Sequence, residues 1–584
     1  MPARALLLLA VLAATPAPPP APVRAAPAAD KTLAVRLGPF RFFAGAPPAG
    51  WSDPAFDDRA WSGPSPGPFA PRQPPLPQSS QPAGVTNIDL IPGQPLLLRA
   101  RFAVPEARRV RVLELRVAYN DAFVAYVNGR EVARRGMAPA GAAAAVPHGP
   151  EVERVYVAVP DMLPALSPEG NLLAIAIHSY PGRNTVIPTA PAATVGLAAA
   201  SGVRIVRGPY LAAPAESPRG RARINVAWET DLPAGGRVVV EPTTGGAAAT
   251  PPPMQIRTGP PATRQLVAVD TLARGARYDY HVEVEAAPGD GAASAPARFE
   301  TLPVPPAPLR FAVYGDMRYS GHEAHRTIVD ALVREAPPLV FNTGDMTDEG
   351  SQESNWQRYF DITAPLGAIA PVIPVLGNHD TARAGAGAAK TWALFAMPTP
   401  APPFWTSLDL GGAHFVVLDT NDAANPAQRE WLTDDLARAH RHHARGVFAF
   451  CHEPPWSHGL HGNSHRMIRE YAPLLAAGQV DVLFCGHDHI YERGVGPTAR
   501  GKLVYVITGG GGAPLYNPRC QAAEGAGPGD VPGPLPRCPP TVAALAKSYH
   551  YIMVTVDDDA ITLCPKRSDG SAVEPCARLP PHRR

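Results

Sequence analysis

The chain has 584 residues, which at about one domain per 150 residues suggests about four domains. Charged residues make up 18% and the net charge is only +2, which argues against a basic stripe for nucleic acid. Its 73 prolines and 52 glycines are too many for a compact helical protein and suit β-structure with many turns and linkers.

The N-terminus has the form of an export signal. Arg4 precedes an apolar run, Ala5 to Ala14, of signal-core length and too short to span a bilayer. Small residues around Val23-Arg24-Ala25-Ala26 could host cleavage, so residues 1–26 are read as a signal peptide. The expected location is periplasmic or extracellular. No cysteine lies near the signal to carry a lipid anchor, and no later apolar run reaches membrane-spanning length. Cys520 and Cys538 flank a Gly/Pro-rich loop, and Cys564 and Cys576 a short hairpin. Both pairs are expected as disulfides, with Cys451 and Cys485 as buried thiols inside strands.

Residues 31–200 alternate apolar and polar positions in short runs, such as Leu97–Phe102, Arg111–Val117, Ala122–Val127 and Leu172–Ile177. Asn128-Gly129 between two such runs signals a tight hairpin. The region is expected to be an all-β sandwich. Its Trp51…Phe56-Asp57-Asp58…Trp61 and Tyr119-Asn120-Asp121…Tyr126-Val127-Asn128-Gly129 segments resemble galactose-binding-like jelly rolls, which implies a possible carbohydrate partner for the aromatics. Core and edge packing is the simpler role for those rings.

Residues 202–303 form a second β unit. Leu272, Gly275 and Tyr278 have the spacing of a tyrosine corner, which resembles a fibronectin III-like sandwich. Arg207-Gly208-Pro209-Tyr210-Leu211 with Trp228-Glu229-Thr230 resembles the opening of the N-terminal domain of purple acid phosphatases. Leu302 to Pro308 reads as a stiff linker.

From Leu309 to about residue 580, strand-like runs alternate with helical stretches (Ala324–Arg334, Gln428–His440, Ser464–Ala476), an α/β layered domain whose ligands belong beyond the strand ends. Five runs end in polar signatures: Gly315-Asp316-Met317-Arg318, Gly344-Asp345, Gly377-Asn378-His379-Asp380, His452-Glu453-Pro454, and Gly486-His487-Asp488-His489. Two cations about 3.5–4 Å apart need a bridging anion, and carboxylate, amide and imidazole donors suit Fe, Zn or Mn. Glycines before the ligands let the backbone turn as it leaves the sheet.

Taken together, the five signatures resemble the calcineurin-like metallophosphoesterases, and most closely the purple acid phosphatase branch. That resemblance implies a four-layer α/β domain with two metal ions. Asp316, Asp345 and His489 would hold the first ion, and Asp345, Asn378, His452 and His487 the second. A metal-bridging hydroxide would attack phosphorus, with His379 stabilising the transition state or protonating the leaving oxygen and Asp380 orienting His379. Two positions depart from the family pattern. Arg318 stands where many relatives carry a histidine, and Asp348 where purple acid phosphatases carry a metal-binding tyrosine. Tyrosine-to-iron colour is therefore not expected, water or Asp348 would complete the first ion's shell, and Arg318 is a candidate phosphate contact beside the plainer reading of a salt bridge.

Substrate contacts are expected in the loop after His452. His461 is a candidate phosphate contact there, while Trp456 could stack on a base or aryl group. Trp431 and Tyr491-Glu492-Arg493 read as structural, and Gly509–Gly512 as backbone geometry near the metals, since it lacks the Lys-Ser/Thr of a nucleotide loop. The sequence favours an exported phosphohydrolase. A nucleotide or cyclic-nucleotide diesterase, and a carbohydrate-binding or adhesion protein with a vestigial phosphoesterase domain, remain as alternatives.

Overall fold

The computed structural model describes residues 31–71, 86–91, 93–119, 121–137, 151–163, 166–178, 194–217, 220–243, 253–318, 322–381, 385–398, 402–439, 445–521 and 535–582. The expected signal peptide and Asn120 lie outside them. Among the described residues no helix is long and apolar enough to cross a membrane.

The N-terminal region is all β. A four-stranded sheet (Thr32–Leu33, Thr194–Ala200, Val112–Tyr119, Glu151–Ala158) faces a seven-stranded one centred on Asn171–His178 and Leu96–Ala103. Their inward residues, including Leu98, Leu113, Leu115, Val117, Phe123 and Ile175, form one core. Asn128 and Gly129 both take positive φ at the predicted hairpin. The aromatics of these segments are interior, the packing role that was the simpler one: Trp51 is 9% exposed and Trp61 8%. They pack with Phe43, Phe56 and Tyr126. The buried Arg99 guanidinium crosses Phe56 and pairs with Asp58 at 2.8 Å, so these rings build a core around an ion pair.

The middle sheet is organised by one 21-residue strand, Ala222–Pro242. Its first half pairs with Ile205–Glu216 and Ala262–Leu272, its second with Met254–Arg257 and Arg277–Ala287. The strand changes partners at Gly235-Gly236, where a Cβ on Gly236 would lie 2.4 Å from the Glu283 carbonyl oxygen. The Tyr278 hydroxyl accepts the Ala273 N–H at 2.8 Å, the corner that the Leu272, Gly275, Tyr278 spacing predicts.

The C-terminal domain packs two sheets face to face. One has the order Val372–Pro374, Val340–Asn342, Leu309–Tyr314, Tyr551–Val556, Ile561–Lys566, Ala577–Leu579. The other runs Thr406–Leu410, Ala413–Val417, Val447–Phe450, Val482–Cys485, Gly501–Thr508, Tyr491–Thr498, Val542–Ala546. Phe311 and Phe341 from the first meet Phe415, Phe448, Phe450 and Phe484 from the second, in ring contacts of 4.0–6.4 Å. All six are fully buried, each contributing roughly 1.5–3 kcal/mol. The strands that precede the five polar signatures run parallel within each sheet, so all five deliver their following loops to the same edge.

Helices cover the outer faces. His322–Glu335 buries His325, Ile328, Val329 and Leu332, a helical stripe. Glu353–Gly367 buries Trp356, Tyr359, Phe360, Thr363 and Leu366, and it carries the contact to both β regions. Gln357 exchanges two hydrogen bonds with the Arg154 backbone, at 2.9 and 2.8 Å, and Arg154 reaches Asp361 at 2.9 Å. The predicted helix Ser464–Ala476 is irregular instead: a wide turn over Met467–Tyr471 precedes a short helix, Ala472–Ala477. Pro473 has no N–H for the regular ladder and forces the wider turn before it. Cys520–Cys538 and Cys564–Cys576 are disulfides, and Cys451 and Cys485 are buried thiols with sulfurs 3.2 Å apart.

Candidate metal centre

The five strand ends bring six donors together. The ligand atoms of Asp316, Asp345 and His452 all lie within 4.8 Å of one another. Asn378 Oδ1 and His487 Nδ1 stand 3.1 and 3.3 Å from His452 Nε2, and His489 Nε2 stands 3.6 Å from Asp316 Oδ1. Asp316, Asp345, His452 and His489 are buried, whereas Asn378 is exposed and His487 half-buried at the mouth.

The local backbone explains this convergence. Asp316, Asp345 and His487 all adopt positive φ (59°, 53° and 71°), a conformation that non-glycine residues hold only when their surroundings impose it. The preceding glycines serve close approach as much as turning. A Cβ on Gly377 would lie 2.1 Å from Asp345 Oδ1, and one on Gly486 2.4 Å from Asp316 Oδ2. The His487 amide donates to both Asp316 carboxylate oxygens at 3.0 Å, and the His379 amide donates to Asp345 Oδ1 at 3.0 Å. His452 Nδ1–H donates to the Thr343 carbonyl at 2.8 Å and His489 Nδ1–H to the Pro514 carbonyl at 2.7 Å. Each bond turns the ring's Nε2 inward and selects the tautomer a metal takes.

The electrostatics call for cations. Burial pushes the Asp316 carboxyl well above the carboxylate range; the charge of Asp345 adds to this and His452 opposes it. Burial also works against ionised Asp345, but the charges of His452, His379 and Arg318 hold its carboxyl below that range. Two carboxylates buried side by side stay ionised only with positive charge between them. Burial and the nearby His452 charge push His487 down to about 2, and burial brings His489 down to about 4, so both rings are neutral donors. The buried His489 Nε2 has no hydrogen-bond partner in the protein. Oxygen and nitrogen donors with an orphaned, inward imidazole nitrogen fit Fe, Zn or Mn.

Around this core some expected roles change. Asp380 was expected to orient His379. Its carboxylate instead accepts from the Met346, Thr347 and Gly377 amides at 3.0–3.1 Å, stapling the loops of Asp345 and Asn378 together. The His379 ring is set by its Nδ1, 2.8 Å from the Asp348 carbonyl oxygen. The Asp348 carboxylate lies 3.7 Å from Arg358, while Arg318 takes the position on Asp345, its Nε 3.0 Å from Oδ2. His461 is exposed and its ring lies 4.1 Å from that of His487. His458 is tied to buried Glu492 at 2.9 Å, and Trp456 packs on Tyr505 at 5.4 Å instead of standing free for a base. Trp431 packs against a core cluster. Tyr491 and Arg493 both bind Glu574. The glycine run shapes the floor: Gly511 N donates to the Gly315 carbonyl and Ala513 N to the Asp316 carbonyl, both at 2.8 Å.

Two residues to which the sequence assigned no role complete the site. Asp488, between His487 and His489, accepts from Ser457 Oγ and the His461 amide and so anchors the loop after His452. Tyr516 stacks on His489, with ring centroids 4.0 Å apart. Asp488 could have been suspected from its place between the histidines. Tyr516 follows a glycine run and no local pattern signals it.

Residues 309–491 match the family model of the calcineurin-like phosphoesterases. Over 267 residues the chain is 30% identical to purple acid phosphatase 23 of Arabidopsis thaliana, covering 39% of this chain and 57% of that protein. It is 27% identical to an uncharacterised protein of Mycobacterium tuberculosis, over 42% of this chain and 59% of that one. The chain spans about half the length of the curated relatives it matches. Among solved structures, the purple acid phosphatase PPD1 from yellow lupin (Lupinus luteus) seeds aligns with a TM-score of 0.54 at 15% identity, over 83% of this chain and 93% of that one.

Proposed function

With residues 309–491 a calcineurin-like phosphoesterase domain of the purple acid phosphatase-like branch, we propose that the protein is an exported, metal-dependent phosphohydrolase that cleaves phosphate esters. The observation that carries this reading is the convergence of six oxygen and nitrogen donors from five strand ends on one point, with Asp316 and Asp345 buried at its centre. Asp316, Asp345 and His489 would hold one ion, and Asp345, Asn378, His452 and His487 the other. Bound there, the ions would supply the activated water that attacks phosphorus and offset the charge of the phosphoryl oxygens.

The chain's own groups do the rest. Arg318 and His461 hold phosphoryl oxygens at the mouth, a task for which the guanidinium fork is well shaped. His379, held through Nδ1 by the Asp348 carbonyl, carries the proton for the leaving oxygen. Asp380 keeps the loops of Asp345 and Asn378 in register. Export is supported by the apolar leader and by two disulfides. We read the first two β regions, residues 31–200 and 202–303, as galactose-binding-like and fibronectin III-like spacers, and the Tyr278 corner supports the second.

The test is metal analysis of the purified protein with assays on p-nitrophenyl phosphate and bis-p-nitrophenyl phosphate. Two bound ions per chain and turnover of either ester are expected, with both lost in Asp345→Ala. Turnover that persists in Asp345→Ala would overturn the site, and the preferred ester separates monoesterase from diesterase.

A further inference from the structure

The segment after the glycine run is laid along the substrate loop. The Pro514 carbonyl accepts from His489 Nδ1–H, and the Tyr516 amide donates to the His489 carbonyl at 3.1 Å. Arg519 N donates to the His458 carbonyl at 2.8 Å, and its guanidinium reaches the Leu460 carbonyl. The next residue, Cys520, is tied to Cys538. This places four rings in contact, from the buried His489 out to the rim. Tyr516 stacks on His489 with planes 14° apart, meets His461 edge-on at 5.6 Å, and His461 lies against His487. Beside His461 stands Leu460, a large apolar side chain that is 53% exposed.

We propose that this rim is the leaving-group wall of the enzyme, with Tyr516 and Leu460 selecting phosphate esters of flat aromatic or heteroaromatic alcohols. The inference rests on the phosphoesterase reading above. A phosphoryl group held at the ligands has to send its ester substituent past the rim. The half-buried Tyr516 ring is packed on one face by His489, touches His461 edge-on and rests against the neighbouring core, which leaves part of it exposed at the rim. A stacked aromatic face recognises a planar group whatever its substituents, and an exposed leucine offers nothing to the hydroxyls of a sugar or glycerol ester. Trp456, the aromatic that the sequence put forward for this task, is committed to packing on Tyr505.

Benzyl phosphate and n-butyl phosphate, whose leaving alcohols have similar basicity, separate stacking from chemistry. We expect the ratio of their kcat/KM values, benzyl over butyl, to fall about tenfold in Tyr516→Ala, chiefly through KM, and to be kept in Tyr516→Phe. Leu460→Ser, at an exposed position, is expected to move the ratio the same way by about threefold. If the wild type cleaves both esters and the ratio stays fixed in Tyr516→Ala and Leu460→Ser, the wall is refuted while the phosphoesterase reading stands. An equal loss on both esters in Tyr516→Ala would show that Tyr516 only props His489, and would overturn its role as a specificity residue. A wild type that cleaves neither monoester overturns the wall, while the phosphoesterase reading is decided by its own assay on p-nitrophenyl phosphate and bis-p-nitrophenyl phosphate.

Discussion

Arg318 lays its guanidinium on Asp345, the carboxylate proposed to bridge the two ions, with Nε 3.0 Å from Oδ2 and only 10% of its side chain exposed. Burial works against that charge, while Asp345 and Asp316 keep the guanidinium above its ordinary range. A cation so placed can bind a second anion, the substrate phosphoryl, beside the one it already touches. Arg318→Ala is expected to lower kcat/KM about 10- to 100-fold and to weaken inhibition by inorganic phosphate in parallel, the loss of a charge-assisted hydrogen bond. Arg318→Lys restores part of it, because an ammonium keeps the charge without the fork. An unchanged phosphate Ki in Arg318→Ala would refute the contact.

His379 offers a different signature. Its ring is set by the Asp348 carbonyl at 2.8 Å, so replacing the Asp380 carboxylate should not act through the imidazole. His379→Ala is expected to lower kcat about 10²–10⁴-fold on esters of poor leaving groups, and much less on p-nitrophenyl phosphate, whose leaving oxygen needs no proton. A loss independent of the leaving group would assign His379 to charge stabilisation alone.

His414 should govern part of the stability at high pH. Its Nδ1 and Nε2 lie 2.7 and 2.8 Å from Asp409 and Asp435 oxygens, which requires a proton on both nitrogens. Burial alone would lower this imidazole, but the two carboxylates carry it up to about 9 from the ordinary 6.5. A group raised on folding stabilises fully below its unfolded value and loses that contribution as pH rises through its folded value. Stability should therefore fall between about pH 6.5 and 9 by roughly 2 kcal/mol, discounted because Asp409 is largely exposed. Thermal unfolding of His414→Asn across that range should be less stable at pH 6 and lack the slope. An identical slope in the variant would move the effect elsewhere.

The clustered donors were legible in the sequence because each follows its strand within a few residues, so a short motif holds both the turn and the donor. Arg318 was visible as a departure from the family pattern, but not its pairing with Asp345, which depends on how two separate strand ends lie side by side. Asp380 shows how adjacency misleads. One residue from His379 in the chain, its side chain is turned to three backbone amides, and the ring is set by a carbonyl 31 residues away. Tyr516 was invisible because stacking on His489 leaves no spacing rule. The strands of the β regions followed from alternation, yet their attachment to the helix Glu353–Gly367 rests on pairs such as Arg154 and Gln357, 203 residues apart.

That attachment supplies the last prediction. Arg207, from the middle sheet, is 5% exposed in its side chain and bonds Glu229 at 2.8 Å and Glu353 at the start of the helix, with its guanidinium 4.9 Å from the Phe360 ring centre. Burial works against the Glu353 charge, but Arg207 and Lys390 hold its carboxyl low, whereas Glu229 is pushed up by burial despite Arg207. The arginine is thus the shared counterion of two acids from different regions. Arg207→Ala would strand both beside a weaker set of cations, Lys390 at 2.8 Å and Arg264 at 4.0 Å. The expected cost is roughly 3–5 kcal/mol, read as a lowered apparent unfolding temperature by calorimetry. The cause can be separated from lost packing. In Arg207→Met with Glu229→Gln and Glu353→Gln no charge is left unpaired, and most of the loss should be recovered, because the penalty lies in the stranded carboxylates more than in the missing bonds. If the triple variant is as unstable as Arg207→Ala, the guanidinium acts through its packing on Phe360, and charge compensation is not what joins the middle sheet to the helix.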